Sequence, residues 1–105
     1  MPTKYFKIVL SDGREIHVFF ETASGIIVNF VAKLVINLEN TYYEIVRYDS
    51  AHNCPHKDIL DEEGQVIRKI WFELLNNKQA LDMAIKDLKD NHEIYQERFV
   101  KCLRK

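Results

Sequence analysis

The chain has 105 residues, of which 47% are hydrophobic and 30% are charged, and its formal net charge is −1. This length and balance favour one folded domain and argue against disorder. The near-zero net charge excludes a global electric field that would draw the chain to nucleic acid or to anionic lipid.

The sequence also indicates the environment of the protein. Its longest apolar stretch, Gly25 to Leu38, is interrupted by polar residues and is too short to span a bilayer. The two cysteines, Cys54 and Cys102, are too few for a disulfide framework. We therefore expect a cytoplasmic protein with free thiols, no bound cofactor and no membrane association.

The first half of the chain predicts a meander of four strands. These strands are short, β-branched and aromatic segments over residues 4–10, 15–21, 26–38 and 41–49. Turn signals separate them at Asp12-Gly13, Ser24-Gly25 and Glu39-Asn40.

The third predicted strand carries apolar residues at both alternating positions. Phe30 and Leu34 lie on one face, whereas Val31 and Val35 lie on the other. Both faces of this strand are therefore expected to be partly buried, and one covering helix does not suffice. Either the sheet curls, or a second copy of the chain covers it, so a homodimer is the expected assembly.

The second half of the chain predicts two more strands and one helix. Residues 57–60 and 65–72 flank a polar turn that ends in Gly64. Asn76, with a glutamine three residues later, has the spacing of a capping box and begins a helix that runs to about Leu103.

The predicted fold class follows from this order of elements. It is α+β, a mostly antiparallel β-meander of five to six strands with one long C-terminal helix packed on one face. Trp71 and Phe72 are expected to pack under the start of that helix.

The densest group of polar residues lies between the fourth and fifth predicted strands. If these strands form a hairpin across the loop between them, Asp49 faces His56 and Arg47 faces Asp58. Strand alternation then places all four side chains on one face. One interpretation is structural, with two opposite-charge pairs each contributing about 0.2 to 1 kcal/mol.

A catalytic interpretation uses the same segment. Asp49 would orient His56, Arg47 would contact an anionic group, and His52 would supply a second titratable ring. Two histidines and an arginine could cleave RNA without a metal, so nucleic acid is an expected partner under this hypothesis alone. Asp58 and Lys57 are candidate binding residues beside this site.

A zinc site is a third interpretation of this segment. His52, Cys54 and His56, with Asp49 or Asp58, are acceptable ligand types. They form a single run without the second ligand pair that is typical of tetrahedral zinc. We therefore predict no metal.

The same segment resembles a group of short uncharacterised prokaryotic proteins. These share the pattern Arg-Tyr-Asp, Ala-His, Pro-His, followed by a Gly turn and a helix that ends near Tyr-x-x-x-Phe. In this chain the pattern corresponds to Arg47-Tyr48-Asp49, Ala51-His52, Pro55-His56, Tyr95 and Phe99. The likeness extends from about residue 12 to residue 99.

More distantly, the aspartate and paired histidines are similar to those of TumE-type toxins of toxin-antitoxin systems. That resemblance implies catalytic roles for residues Arg47, Asp49, His52 and His56, and an antitoxin as partner. Two hypotheses therefore remain. The first is a binding, regulatory or structural module, and the second is a metal-independent ribonuclease toxin.

Overall fold

The computed structural model describes residues 2 to 103, without the side chain of His52. Within this range the chain forms six strands and one long helix. The elements are β1 (Thr3–Ser11), β2 (Arg14–Ala23), β3 (Ile26–Leu38), β4 (Thr41–Asp49), β5 (His56–Leu60), β6 (Val66–Trp71) and α1 (Asn77–Leu103). A short 3-10 helix, Ala51–Asn53, lies between β4 and β5.

Tight turns explain why the strands pair in chain order. Asp12 and Gly13 have φ angles of 46° and 81°, and two positive φ values are what a type I′ hairpin turn requires. A Cβ added at Gly13 would lie 3.2 Å from the Cβ of Asn37, so this turn is also close to the next hairpin. The resulting sheet has the order β1-β2-β3-β4-β5-β6 and is antiparallel throughout. The predicted α+β fold, with its meander and C-terminal helix, is confirmed.

The main core lies between α1 and one side of the sheet. Strand alternation turns Val18, Phe30 and Leu34 toward the helix, and all three are buried. The helix contributes small residues such as Ala84, which allow close approach to β3, and larger ones such as Leu88. Helix α1 packs mainly on β3 and β4 and leaves the same side of β5 and β6 largely uncovered.

The predicted capping box fixes the start of α1. The Asn76 side-chain oxygen accepts a hydrogen bond from the Gln79 backbone N–H at 2.8 Å, and the Gln79 side-chain oxygen accepts one from the Asn76 N–H at 3.0 Å. These reciprocal bonds satisfy amide groups that the first helical turn leaves without partners.

A second contact region joins the middle of α1 to β4 and β5, and sequence reasoning did not identify it. Tyr48 and Tyr95 both donate hydrogen bonds to Asp87 Oδ2, at 2.6 and 2.5 Å. Asn91 donates to the other oxygen of Asp87 at 2.7 Å. Lys57 donates to the Tyr95 hydroxyl and lies 3.4 Å from Asp87 Oδ2. We call these five residues the Asp87 cluster.

The Asp87 cluster shifts the pKa values of its members. Burial alone would raise the pKa of Asp87, but hydrogen bonds from Tyr48, Tyr95 and Asn91 and the charge of Lys57 outweigh it, so the pKa falls below the ordinary 3.8. Burial, followed by hydrogen bonding to the Asp87 carboxylate, raises the pKa of Tyr48 and of Tyr95 well above the ordinary 10.0. The carboxylate is thus held ionised and the phenols protonated.

The other side of the sheet carries no helix among the described residues, and we call it the open face. Val31 and Val35 point to it, so the expectation that β3 presents apolar groups on both sides is confirmed. No helix within residues 2–103 has the length and apolar character needed to cross a bilayer.

Replacement of Asp87 by alanine tests the role of the Asp87 cluster. The variant should lose about 3 kcal/mol in free energy of unfolding, because three donors lose a charged acceptor. The matched control is Asp82→Ala, since Asp82 pairs with Lys78 in an exposed contact and should cost at most about 0.5 kcal/mol. Urea titrations followed by circular dichroism measure both values.

The contribution of the Asp87 cluster to the free energy of unfolding should change with pH in a defined direction. The pKa of Asp87 is lower in the folded state than its ordinary value of 3.8, so its stabilisation is complete above that value and is lost as pH falls through the folded pKa. The stability advantage of the wild type over Asp87→Asn should therefore shrink at pH below 3.8. A difference that stays constant with pH contradicts this assignment.

Candidate functional site

The hairpin of β4 and β5 has the register that the sequence predicts. Asp49 pairs with His56, and Arg47 pairs with Asp58. Because strand positions two apart share a face, all four side chains lie on the open face of the sheet. The prediction that these residues come together is confirmed at the level of strand pairing.

His56 is held at both ring nitrogens. Its Nδ1 lies 3.1 Å from the carbonyl oxygen of Cys54, and its Nε2 lies 3.0 Å from Asp49 Oδ1. A carbonyl oxygen has no proton to donate, so Nδ1 is the donor to Cys54. The other ring nitrogen, Nε2, faces the Asp49 carboxylate. The imidazole is fixed in position, and its residue is only 2% exposed.

Asp58 lies beside this pair and is also only 2% exposed. Lys69 Nζ approaches its Oδ1 to 3.0 Å, while Arg47 Nη2 and His56 Nε2 each lie 3.7 Å from its Oδ2. Among the described side chains and backbone, no donor points at Asp58 Oδ1 in hydrogen-bond geometry, so the Lys69 contact is an ion pair without a directed bond. Two cations thus compensate a carboxylate that is almost fully removed from water.

Arg47 connects the charged groups of the site. Its guanidinium lies 3.1 Å from Glu44 Oε1, 3.3 Å from Asp49 Oδ2 and 3.7 Å from Asp58 Oδ2. The arginine is therefore surrounded by three carboxylates, and its charge is already matched within the chain.

Trp71 covers the imidazole on the open face. Its ring lies with its centre 4.9 Å from that of His56, and the ammonium of Lys69 lies 5.2 Å from the indole centre. The expectation that Trp71 packs under the start of the helix is wrong, because strand alternation turns it to the opposite side from Phe72. Phe72 packs on the core and stacks on Tyr48 at 5.9 Å.

The remaining predicted site residues are placed differently. Lys57 occupies the alternate position on β5, so it points to the helix side and belongs to the Asp87 cluster rather than to the group around His56. The side chain of His52 lies outside the described residues.

Three side chains of the site have ligand atoms close enough to share a metal ion. The nearest ligand atoms of Asp49, His56 and Asp58 lie within 4.8 Å of one another. Cys54, which the zinc interpretation included, is not part of this group. The same carboxylates are contacted by Arg47 and Lys69, and these cations already supply the positive charge that a metal would bring.

This arrangement limits what the site can do chemically. A general base needs a ring nitrogen that can accept a proton from a substrate. In His56 one nitrogen lies 3.1 Å from the Cys54 carbonyl oxygen and the other lies 3.0 Å from the Asp49 carboxylate, so groups of the chain occupy both. The contacts of His56 therefore favour a structural role for this side chain over a role in proton transfer.

Comparison with known proteins gives a family and no activity. The family model described as Domain of unknown function (DUF7718) matches residues 1–105. The chain belongs to this family. No curated protein and no solved structure matches the chain, and no similarity to TumE-type toxins is found.

For this family member, His56→Ala tests the structural role of the site. The variant should lose about 3 kcal/mol in free energy of unfolding, because it leaves a cavity beneath Trp71 and removes the imidazole contact of the Asp49 and Asp58 carboxylates. His17→Ala is the matched control, since His17 lies 2.9 Å from Glu15 in a more exposed pair and should cost at most about 1 kcal/mol. Equal losses in the two variants, measured by urea unfolding, would contradict the structural assignment.

Proposed function

We propose that this domain is a non-catalytic assembly module that forms a homodimer through the open face of its sheet. The observation that carries the proposal is a set of large apolar side chains left exposed on this face. They are Tyr5, Val9, Tyr42 and Trp71. Val9 is 73% exposed and Tyr42 is 67% exposed, and a second copy packed on this face would remove both from water.

Strand register arranges the open face in rows that run across the sheet. The first row is Tyr5, Phe19, Val31, Asp49, His56 and Trp71. The second row is Lys7, His17, Lys33, Arg47, Asp58 and Lys69. The third row is Val9, Glu15, Val35 and Glu44. Basic residues dominate the second row, whereas the charged residues of the third row are acidic.

The charges of these rows are complementary to those on the open face of a second copy of the chain. Consider a two-fold axis in the plane between two facing sheets, parallel to the rows and midway between the second and third. Rotation about this axis places the basic row of one copy opposite the acidic row of the other. Face-to-face packing of two sheets is a common architecture with a separation of about 10 Å. Charge complementarity therefore favours a second copy of this chain as the occupant of the open face.

Most charges on this face do not oppose association, because they already have a partner of opposite charge in the same chain. Lys33 lies 3.7 Å from Glu44, and Lys69 lies 3.0 Å from Asp58. An interface that covers such pairs buries no isolated charge, which is the costly case.

The edges of the sheet are less suited to self-association than its face. Edge strand β1 carries Lys4 and Lys7, edge strand β6 carries Arg68 and Lys69, and neither strand carries an acidic residue. Pairing of β1 or β6 with a second copy of either strand brings like charges together, and lysine on an edge strand is a common protection against such pairing.

Light scattering and sedimentation at micromolar concentration test the proposal. The wild type should have twice the mass of one chain. Tyr42→Glu places a new charge on the exposed part of the face, should leave the fold intact, and should weaken association at least about tenfold. The control Ile94→Glu changes a side chain that is 48% exposed on α1, and it should remain dimeric. A wild type that is strictly monomeric contradicts the proposal.

A second candidate function is a metal-independent ribonuclease toxin with Arg47, Asp49, His52 and His56 as its catalytic residues. One contact favours it, since the 3.0 Å approach of Asp49 to His56 is the geometry with which a carboxylate orients a catalytic imidazole. The burial of His56 and the engagement of Arg47 by three carboxylates favour the assembly module instead.

Growth of a bacterial host separates the two functions. We expect equal and unimpaired growth on induction of the wild type and of the His52→Ala, His56→Ala double variant. Growth arrest by the wild type alone would support the toxin. In that case Arg47→Lys, which retains a positive charge beside the carboxylates, distinguishes loss of catalysis from loss of the fold.

A further inference from the structure

An open groove lies on the helix side of the sheet, away from the open face. Its floor is formed by Val46, Ile59 and Ile70, and its wall by Tyr95 and Phe99 of α1. The groove has a volume of about 460 Å³, which is within the range of small-molecule sites. It exists because α1 packs mainly on β3 and β4, so this side of β5 and β6 has no second helix among the described residues.

Two arginines lie on the rim of the groove. Arg68 projects from β6 and Arg98 from α1, and within residues 2–103 neither guanidinium forms an ion pair or a hydrogen bond. Arg98 is one helical turn beyond Tyr95, and its charge acts to lower the pKa of that phenol. The rim therefore offers guanidinium groups that remain available to an anion, and guanidinium binds carboxylates through paired hydrogen bonds.

The charges along the groove are also ordered. Lys57 lies at the end near Tyr95, where its ammonium contacts the phenol. Asp61 and Glu62, in the turn between β5 and β6, line the opposite end. The acidic residues repel an anionic headgroup from their end of the groove, whereas the guanidinium groups of Arg68 and Arg98 attract it, and an apolar chain contacts the floor.

We propose that this groove binds a single-chain amphiphile with an anionic headgroup. The headgroup lies near Arg98, and the apolar chain lies along Ile59 and Phe99. This site is on the opposite side of the sheet from the proposed dimer interface. Its test therefore gives a result that does not depend on whether the chain forms a dimer.

The two free cysteines provide the readout. Cys102 is exposed and lines the groove, whereas Cys54 lies in the loop before β5 and does not. Peptide mass spectrometry measures the rate at which iodoacetamide alkylates each thiol. The rates are compared with and without decanoate, which serves as the probe ligand. At a concentration about ten times its Kd, decanoate should slow the reaction of Cys102 about tenfold and leave Cys54 unchanged.

Charge variants and a cationic probe complete the test. Arg98→Glu should abolish the protection of Cys102 by decanoate, and the control Lys101→Glu, on the same helix outside the groove, should retain it. Decylammonium, with the same chain and the opposite charge, should not protect Cys102. The proposal is overturned by equal protection from decylammonium, by protection that survives in Arg98→Glu, or by equal slowing of both thiols.

Discussion

The pairing of β4 with β5 is the constraint on which the site depends. This register places Asp49 opposite His56 and Arg47 opposite Asp58, and it buries an imidazole and a carboxylate on a sheet face that has no covering layer among the described residues. A shift of β5 by one residue would turn His56 and Asp58 to the helix side of the sheet, away from Asp49 and Arg47, and would leave buried charges without their partners. The charge network and the register therefore stabilise each other, and Trp71 shields the imidazole from water.

The polar contacts on the two sides of the sheet connect different parts of the fold. On the helix side, the Asp87 cluster joins α1 to β4 and β5, and its hydrogen bonds have the short distances expected for a charged acceptor. On the open face, ion pairs run across neighbouring strands and compensate one another, while apolar side chains remain exposed between and beside them. The first arrangement completes the fold of one chain. The second leaves basic and acidic rows together with exposed apolar side chains on one face, which is the basis for the proposed dimer.

The sequence was sufficient for those features that depend on local pattern. Turn residues such as Asp12-Gly13, strand alternation and the capping box at Asn76 predicted the meander, the helix and the Asp49–His56 register. Contacts between distant segments were not predictable in this way. Asp87 gave no local signal, because its partners Tyr48 and Lys57 lie on strands far away in the sequence. Hydrophobicity alone also misplaced Trp71, since the face it occupies depends on the register between β5 and β6.

The central claim is that Asp49 and His56 form a structural pair, and a double-mutant cycle tests it most directly. Free energies of unfolding would be measured for the wild type, Asp49→Ala, His56→Ala and the double variant. For two buried groups 3.0 Å apart, the account predicts a coupling energy of about 1 to 3 kcal/mol, so the double variant loses less than the two single losses combined. Losses that add to within about 0.3 kcal/mol would mean that the two side chains do not depend on each other, and would contradict the account.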